Sequence, residues 1–481
     1  MNYLPTIGLE IHSQLATKTK IFCGCSTEFG GEPNTHSCPV CLGMPGVLPV
    51  LNRHGVELAM RMALLTGGEI QKKSYFARKN YFYPDLPKGY QISMFEFPLI
   101  KGGGIDLDTE NGKKTIRINR IHMEEDAGKL IHVEGGLESY FDVNRCGVPL
   151  IEIVTEPDFE TTGEITQFLN ILKEMLVFSG ASRGNMEQGN IRVDANISIR
   201  PEGQKELSTR TEIKNMNSFV NAVTAVRHEI VRQTDIVEGG GKVVQETLLY
   251  DAEHETLAPM RSKEEAHDYR YFPEPDLVPV SIDDEWIDRV KNELPEMRDE
   301  MRRRFEHEYS LPAYDAEILT TSPEIARHFE ATRTSDVLIE VKDSDKKVSN
   351  WYMGEVLRVS NETQTPVDEL KVKPDMLAGL IAMVDKGTVS GSMAKTVFEE
   401  MASTGKDPET IVNEKGLTQI SDKGELETVV KGVINSNPDE AAKYKAGKTK
   451  LLGFFVGQVM KETKGKANPQ EVNTIIREML S

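Results

Sequence analysis

Four of the five cysteines fall within nineteen residues, as Cys23-Gly-Cys25 and, twelve residues later, Cys38-Pro-Val-Cys41. Two close thiol pairs joined by a short loop can close a tetrahedral four-sulfur site, which suits Zn2+ in a reducing compartment. A closed four-sulfur site leaves no position open for substrate, so the spacing predicts a structural Zn2+ knuckle. His36 lies between the pairs and is read as a loop histidine, while Cys146 stands alone. Five cysteines are too few for a disulfide scaffold in a chain of 481 residues.

A second constellation pairs carboxylates with imidazole. Glu10 and His12 lie in a run that alternates Ile7, Leu9 and Ile11 against Gly8, Glu10 and His12. Both therefore project from one strand face, roughly 6–7 Å apart along it. Met123-Glu124-Glu125-Asp126 adds an acidic cluster, and Glu152 a single carboxylate inside the apolar run Leu150 to Val154. Carboxylates with an imidazole and room for water suit Mg2+ bridging nucleotide phosphates. By spacing alone, solvated charges on strand faces explain the same residues. Basic and aromatic residues interleave from Arg78 to Ser93, a pattern for holding phosphate and stacking on a base, or for an aromatic loop packed on a sheet. There is no Walker A loop: Gly447-Lys448-Thr449 comes near, but Ala442 stands where a glycine is needed. Neither a His-Glu-x-x-His motif nor a Gly-x-Ser-x-Gly elbow is present. Any nucleotide chemistry therefore needs a different phosphate site.

The elements that must position these residues are legible from periodicity. Ile191 to Arg200 alternates, with Arg192, Asp194, Asn196, Ser198 and Arg200 on one face, and Thr209 to Lys214 puts Arg210, Glu212 and Lys214 together. Leu150 to Val154 reads as a deeper strand. Val56 to Leu65 reads as a helix stopped at Gly67-Gly68, and Glu164 to Phe178 as a helix with Ile165, Phe168, Leu169, Leu172 and Leu176 on one stripe. This predicts an α+β fold with a largely antiparallel sheet. Past the proline-dense Tyr271 to Pro279, almost everything reads as helix. The expected divisions are 1–293, 294–405 and 406–481. No apolar run approaches the ~20 residues of a membrane span, and the start lacks a signal-peptide pattern, so a cytoplasmic protein is expected.

Net charge is −19, from 57 basic and 76 acidic residues, which opposes a polyanionic partner overall. Between residues 443 and 466, however, Lys443, Lys445, Lys448, Lys450, Lys461, Lys464 and Lys466 face the single acid Glu462. That local patch is a candidate RNA contact, since phosphate binding requires only local charge.

Several longer words occur in order: Ile7-Gly-Leu-Glu-Ile-His12, Arg78-Lys-Asn-Tyr-Phe-Tyr-Pro-Asp85, His122-Met-Glu-Glu-Asp-Ala-Gly-Lys129, Pro149-Leu-Ile-Glu-Ile-Val154, Arg192-Val-Asp-Ala-Asn-Ile-Ser198 and Asp268-Tyr-Arg-Tyr-Phe-Pro-Glu-Pro-Asp276. Together they resemble the B-subunit family of tRNA-dependent amidotransferases along the whole chain. The resemblance implies a cradle-like, kinase-like first domain, a helical domain and a small tRNA-binding tail domain. It implies an ATP-dependent, glutamine-hydrolysing carbon–nitrogen ligase that works as a complex. The side-chain carboxylate of Glu-tRNA(Gln), Asp-tRNA(Asn) or both would be phosphorylated by ATP, and ammonia would then displace the phosphate. Mg2+ would be held by Glu10, His12, Glu125 and Glu152. Lys79, Lys88, Asp194, Glu212 and Lys214 would contact nucleotide and transition state. An amidase A subunit would supply ammonia from glutamine and a small C subunit would complete a heterotrimer, so the chain alone is expected not to amidate. Some family members lack the four cysteines, which speaks against a catalytic zinc. The rival reading is a noncatalytic, zinc-stabilised RNA-binding scaffold.

Overall fold

A computed structural model describes residues 3–110, 112–132, 138–216, 218–260, 269–420, 422–463 and 465–480. Lys464 and Asp268, both named above, lie outside them. The chain divides into two compact units, Met1–Met297 and Arg298–Ser481.

The first unit is built on a thirteen-stranded sheet. Its middle runs, in spatial order, Thr211–Met216, Ile191–Pro201, Tyr3–Gln14, Pro149–Thr155, Gly112–Glu125, Tyr90–Ser93 and Ala77–Asn80. Neighbours in that series are antiparallel. The strand Thr247–Asp251 joins Thr211–Met216 in parallel. The α+β expectation therefore holds.

Alternation decides what each face carries. Ile7, Leu9, Ile11, Ile151, Ile153, Val193, Ala195 and Ile197 turn into the core, which helices Arg53–Thr66, Thr162–Phe178 and Phe219–Glu238 help to form. The first of these begins where the Asn52 side chain accepts the Gly55 N–H and ends at Gly67, whose φ of 68° suits a residue without Cβ. The second opens on a capping box between Thr161 and Glu164 and buries Ile165, Phe168, Leu169, Leu172 and Leu176, the stripe expected from spacing. The proline-dense segment supplies only Phe272–Pro273, an edge pair on Ala77–Asn80 where a missing N–H is tolerated. Glu274 anchors it through two bonds from Arg78, at 2.7 and 2.9 Å.

The second unit is helical. Its last part has a core of its own, formed by Leu426, Val430, Phe455, Val459, Val472, Ile475 and Ile476 among others. Among the described residues, no helix is long and apolar enough to cross a membrane.

Candidate active site on the polar face of the sheet

In the strands Tyr3–Gln14, Pro149–Thr155 and Ile191–Pro201, and in the Arg120, His122 and Glu124 part of Gly112–Glu125 beyond its register shift, the even-numbered residues of the paired stretch share the face opposite the core. Register then assembles the site. His12 stands opposite Arg192 on one side and Glu152 on the other, and Glu152 stands opposite His122. The His12 Nε2 lies 3.3 Å from Glu152 and 3.5 Å from Glu124, and the His122 Nε2 lies 3.4 Å from Glu152. His12, Glu124 and Glu152 each bring a ligand-type atom within 4.8 Å of the others.

The electrostatics of this trio favour a cation. Burial works against charge on His12, but its bond to Glu152 and the nearby Glu124 and Glu152 charges raise its pKa above the ordinary imidazole value. Burial would raise Glu152, yet His122 and His12 outweigh it and hold this carboxyl well below the usual range. The same carboxylate field that raises the His12 pKa would also attract a divalent ion, which would compete with a proton there. Two carboxylates and one imidazole with open positions fit Mg2+ that also bears phosphate oxygens. The buried His122 Nδ1 has no hydrogen-bond partner among the described residues.

One step along the strands lies a second polar row. Glu10 faces Asp194 across the register, and Asn196 donates to Glu10 at 3.1 Å. Lys214 reaches Asp194 at 3.2 Å and Glu212 at 2.9 Å. Burial opposes the Lys214 ammonium, but these two carboxylates raise its pKa above the lysine norm. Burial, then the charges of Glu152 and Glu212, push Glu10 up. Lys79 sits 4.9 Å from the Tyr269 ring and 5.8 Å from that of Tyr81, in a wall that also holds the stacked pair Phe95–Tyr271.

Glu125 is elsewhere. Expected beside Glu10, His12 and Glu152, it points to the opposite face, where both its oxygens accept from the Lys88 ammonium and one also accepts the Ile92 N–H at 2.7 Å. Adjacent strand residues face opposite ways, so of the two glutamates only Glu124 meets His12 and Glu152. Lys88 is likewise turned from the polar row and shares with Glu125, Lys20, Cys23 and Cys41 the lining of a cavity of about 80 Å³. Strand parity separates the two glutamates, with His122 and Glu124 on one face and Met123 and Glu125 on the other, and the pairing of Glu152 with both His12 and His122 brings the Glu124 face to His12.

The four cysteines do converge. Cys23, Cys25, Cys38 and Cys41 bring their sulfurs within 4.8 Å of one another, a donor set compatible with Zn2+. A hydrogen bond from Cys23 is the main cause that lowers the Cys41 thiol to about 4, and the Lys20 ammonium, 3.7 Å away, contributes. Lys20 is itself buried and donates to the Val143 carbonyl at 3.2 Å. Its sequence context did not single it out. Asp126, the last residue of the acidic cluster, accepts from Arg192 at 2.7 Å and from Gln14 at 2.9 Å and so fixes the end of the polar face. In the helical unit Lys443, Lys445, Lys448, Lys450 and Lys461 are exposed and Lys466 is partly covered.

The chain matches two family descriptions: the GatB/GatE catalytic domain over residues 5–288 and the GatB domain over residues 335–480. Similar proteins include the B subunit of the aspartyl/glutamyl-tRNA(Asn/Gln) amidotransferase of Caldicellulosiruptor saccharolyticus, 53% identical across 100% of this chain and 99% of the relative. Proteins of the same name from Geobacter sp. and Chlorobium phaeobacteroides are 52% and 51% identical, each covering 100% of both chains.

Proposed function

Because this chain belongs to the B-subunit family of aspartyl/glutamyl-tRNA(Asn/Gln) amidotransferases, we propose that its polar sheet face activates a tRNA-borne carboxylate with ATP. The observation that carries this reading is the convergence of His12, Glu124 and Glu152 beside the Lys214–Asp194–Glu10 row. A carboxylate oxygen is a poor leaving group, so amidation needs the carboxylate converted to an acyl phosphate first. The γ-phosphoryl group of ATP moves to the free side-chain carboxylate of the Glu or Asp that is esterified to tRNA through its α-carboxyl, ADP leaves, and ammonia then displaces phosphate. His12, Glu124 and Glu152, with Glu10 beside them, would hold Mg2+, which would supply charge neutralisation for the phosphoryl oxygens. Lys214, kept protonated by Asp194 and Glu212, offers a fixed cation to the same oxygens. Lys79 and its aromatic neighbours offer a phosphate and base contact. Lys88 and Glu125 act on the other face, against the cysteine loop.

The remaining assignments follow the family. Ammonia comes from glutamine on an amidase A subunit, with a small C subunit completing a cytoplasmic heterotrimer. The four cysteines hold a structural Zn2+, and the exposed lysines of a tail domain, residues 406–481, bind the tRNA body; residues 1–293 and 294–405 form the cradle and helical domains. The experiment is ATP hydrolysis by the co-expressed complex, with and without misacylated tRNA. Glu124→Gln is expected to lower the tRNA-stimulated hydrolysis by at least about 100-fold, as loss of a phosphoryl-transfer metal ligand should, while tRNA binding persists. Unchanged hydrolysis would leave the chain as an RNA-binding scaffold.

A further inference from the structure

The polar face does not end at Glu10. Toward the start of the first strand, Thr6 stands opposite Ser198 and Leu4 opposite Arg200. Two cavities of about 170 and 420 Å³ open here, and both are lined by Thr6, Pro157 and Leu207. The first also meets Glu10, Asn196, Ser198 and Arg210, so it is continuous with the candidate site. The second adds Arg200, Arg117 and Lys114.

Charge in this groove is unevenly matched. Arg117 is engaged by Asp158 through bonds of 2.7 and 2.9 Å, and Lys114 by Glu164 at 2.8 Å and Glu160 at 3.6 Å. Those pairs account for the acids on the outer wall. Arg200 and Arg210 pair with no carboxylate among the described residues, whereas Arg78, Arg117 and Arg192 on the same sheet each do. The Arg200 Nε is buried without a hydrogen-bond partner, and so is the Thr6 hydroxyl, in a residue only 7% exposed. Buried polar atoms are normally satisfied, so two orphans and two uncompensated guanidinium groups lining one groove point to an anionic, hydrogen-bonding ligand. Leu207, 58% exposed, gives the same groove an apolar surface of the kind a base can lie on.

Length selects the ligand. Glu10 and Leu4 are six residues apart, so the groove runs for roughly 20 Å along an extended strand. From His12 to the Arg200 position is longer still, too far for the phosphates of a single nucleotide whose terminal phosphate lies at His12, Glu124 and Glu152. An extended nucleic-acid strand fits, with its end at the carboxylates and its backbone on the arginines.

We propose that the Thr6–Ser198–Arg200–Arg210 groove holds the single-stranded 3′ end of the RNA substrate, placing its esterified terminal nucleotide at Glu10. This rests on the proposed function for its substrate class, and it adds the direction from which that substrate enters. Leu207 and the hydroxyls tolerate any base, so the groove reads backbone and length rather than sequence.

The test compares binding of intact tRNA and tRNA lacking its three 3′-terminal nucleotides to the co-expressed complex, for wild type, Arg210→Gln and Arg200→Gln/Arg210→Gln. Intact tRNA is expected to bind about tenfold more weakly to the double variant, with the slope of log affinity against log salt reduced by about 1 per arginine. Truncated tRNA should bind all three alike, and the KM for misacylated tRNA should rise with kcat held within about twofold. Arg210 is exposed, so its single variant folds and reports alone if the double variant does not. Equal weakening of truncated tRNA would overturn the proposal, assigning the arginines to the RNA body. Loss of RNA-independent ATP hydrolysis would overturn it in favour of a nucleotide subsite, and unchanged binding of intact tRNA would remove RNA from the groove. None of these readouts depends on the Glu124 result, so failure of the phosphoryl-transfer reading is seen separately.

Discussion

Glu124 faces His12 and Glu152, whereas Glu125 is clamped by Lys88 beneath the cysteine loop. The two substitutions should therefore differ in kind. Where Glu124→Gln is expected to remove chemistry and spare the fold, Glu125→Gln leaves the Lys88 ammonium, 7% exposed, without its counter-charge. Breaking a buried ion pair from one side costs about 3–5 kcal/mol. Urea unfolding of the two variants should show that loss for Glu125→Gln alone. A second residue sets a pH dependence in the helical unit. The His328 Nε2–H donates to the Val372 carbonyl at 3.2 Å, which leaves Nδ1 of the neutral tautomer to accept from the Tyr352 hydroxyl. Burial is the main cause holding its pKa below 6.5. As pH falls below about 6.5 the unfolded chain takes up a proton that the folded chain refuses, so stability declines on the acid side. Denaturation between about pH 7.5 and 5.5 should show this decline, and His328→Gln should flatten it by up to one proton, about 1.4 kcal/mol per pH unit.

At the level of elements, the sheet acts through register and the loops through close approach. The alternation in Tyr3–Gln14 and Ile191–Pro201 was plain from sequence because one face is apolar throughout. Which strands lie beside them was not, since antiparallel pairing of residues remote in sequence, such as His12 with Glu152, leaves no local trace. Only that pairing puts Glu152 between His12 and His122. The cysteine loop shows a different device. Gly43, at φ 64°, packs so near Lys88 that a Cβ there would collide with the Lys88 Cγ. Gly43→Ala should push Lys88 away from Glu125 and lower the melting temperature by several degrees, through both the left-handed backbone and the clash. An unchanged melting temperature would mean that the loop and Lys88 move together freely.

For the molecule as a whole, a four-sulfur centre should make stability depend on metal. Elemental analysis of purified protein is expected to find about one zinc per chain, and Cys38→Ser/Cys41→Ser to bring it to near zero with a lower melting temperature. A net charge of −19 coexists with an exposed lysine cluster in the tail and, among the described residues, unpaired arginines along the groove, so the proposed nucleic-acid contact would be confined to these patches. Much of this was already written in the chain. Cysteine spacing announced the four-sulfur cluster, period-two alternation announced the polar strand faces, and the ordered motifs announced the family, because each is a local pattern that folding preserves. The tertiary structure alone decided which glutamate joins His12, where Lys88 points and which arginines are left unpaired. Those outcomes depend on strand register and on the distance between remote side chains. A shift of one residue in register exchanges the faces of a strand, and composition and periodicity do not encode the pairing that fixes it.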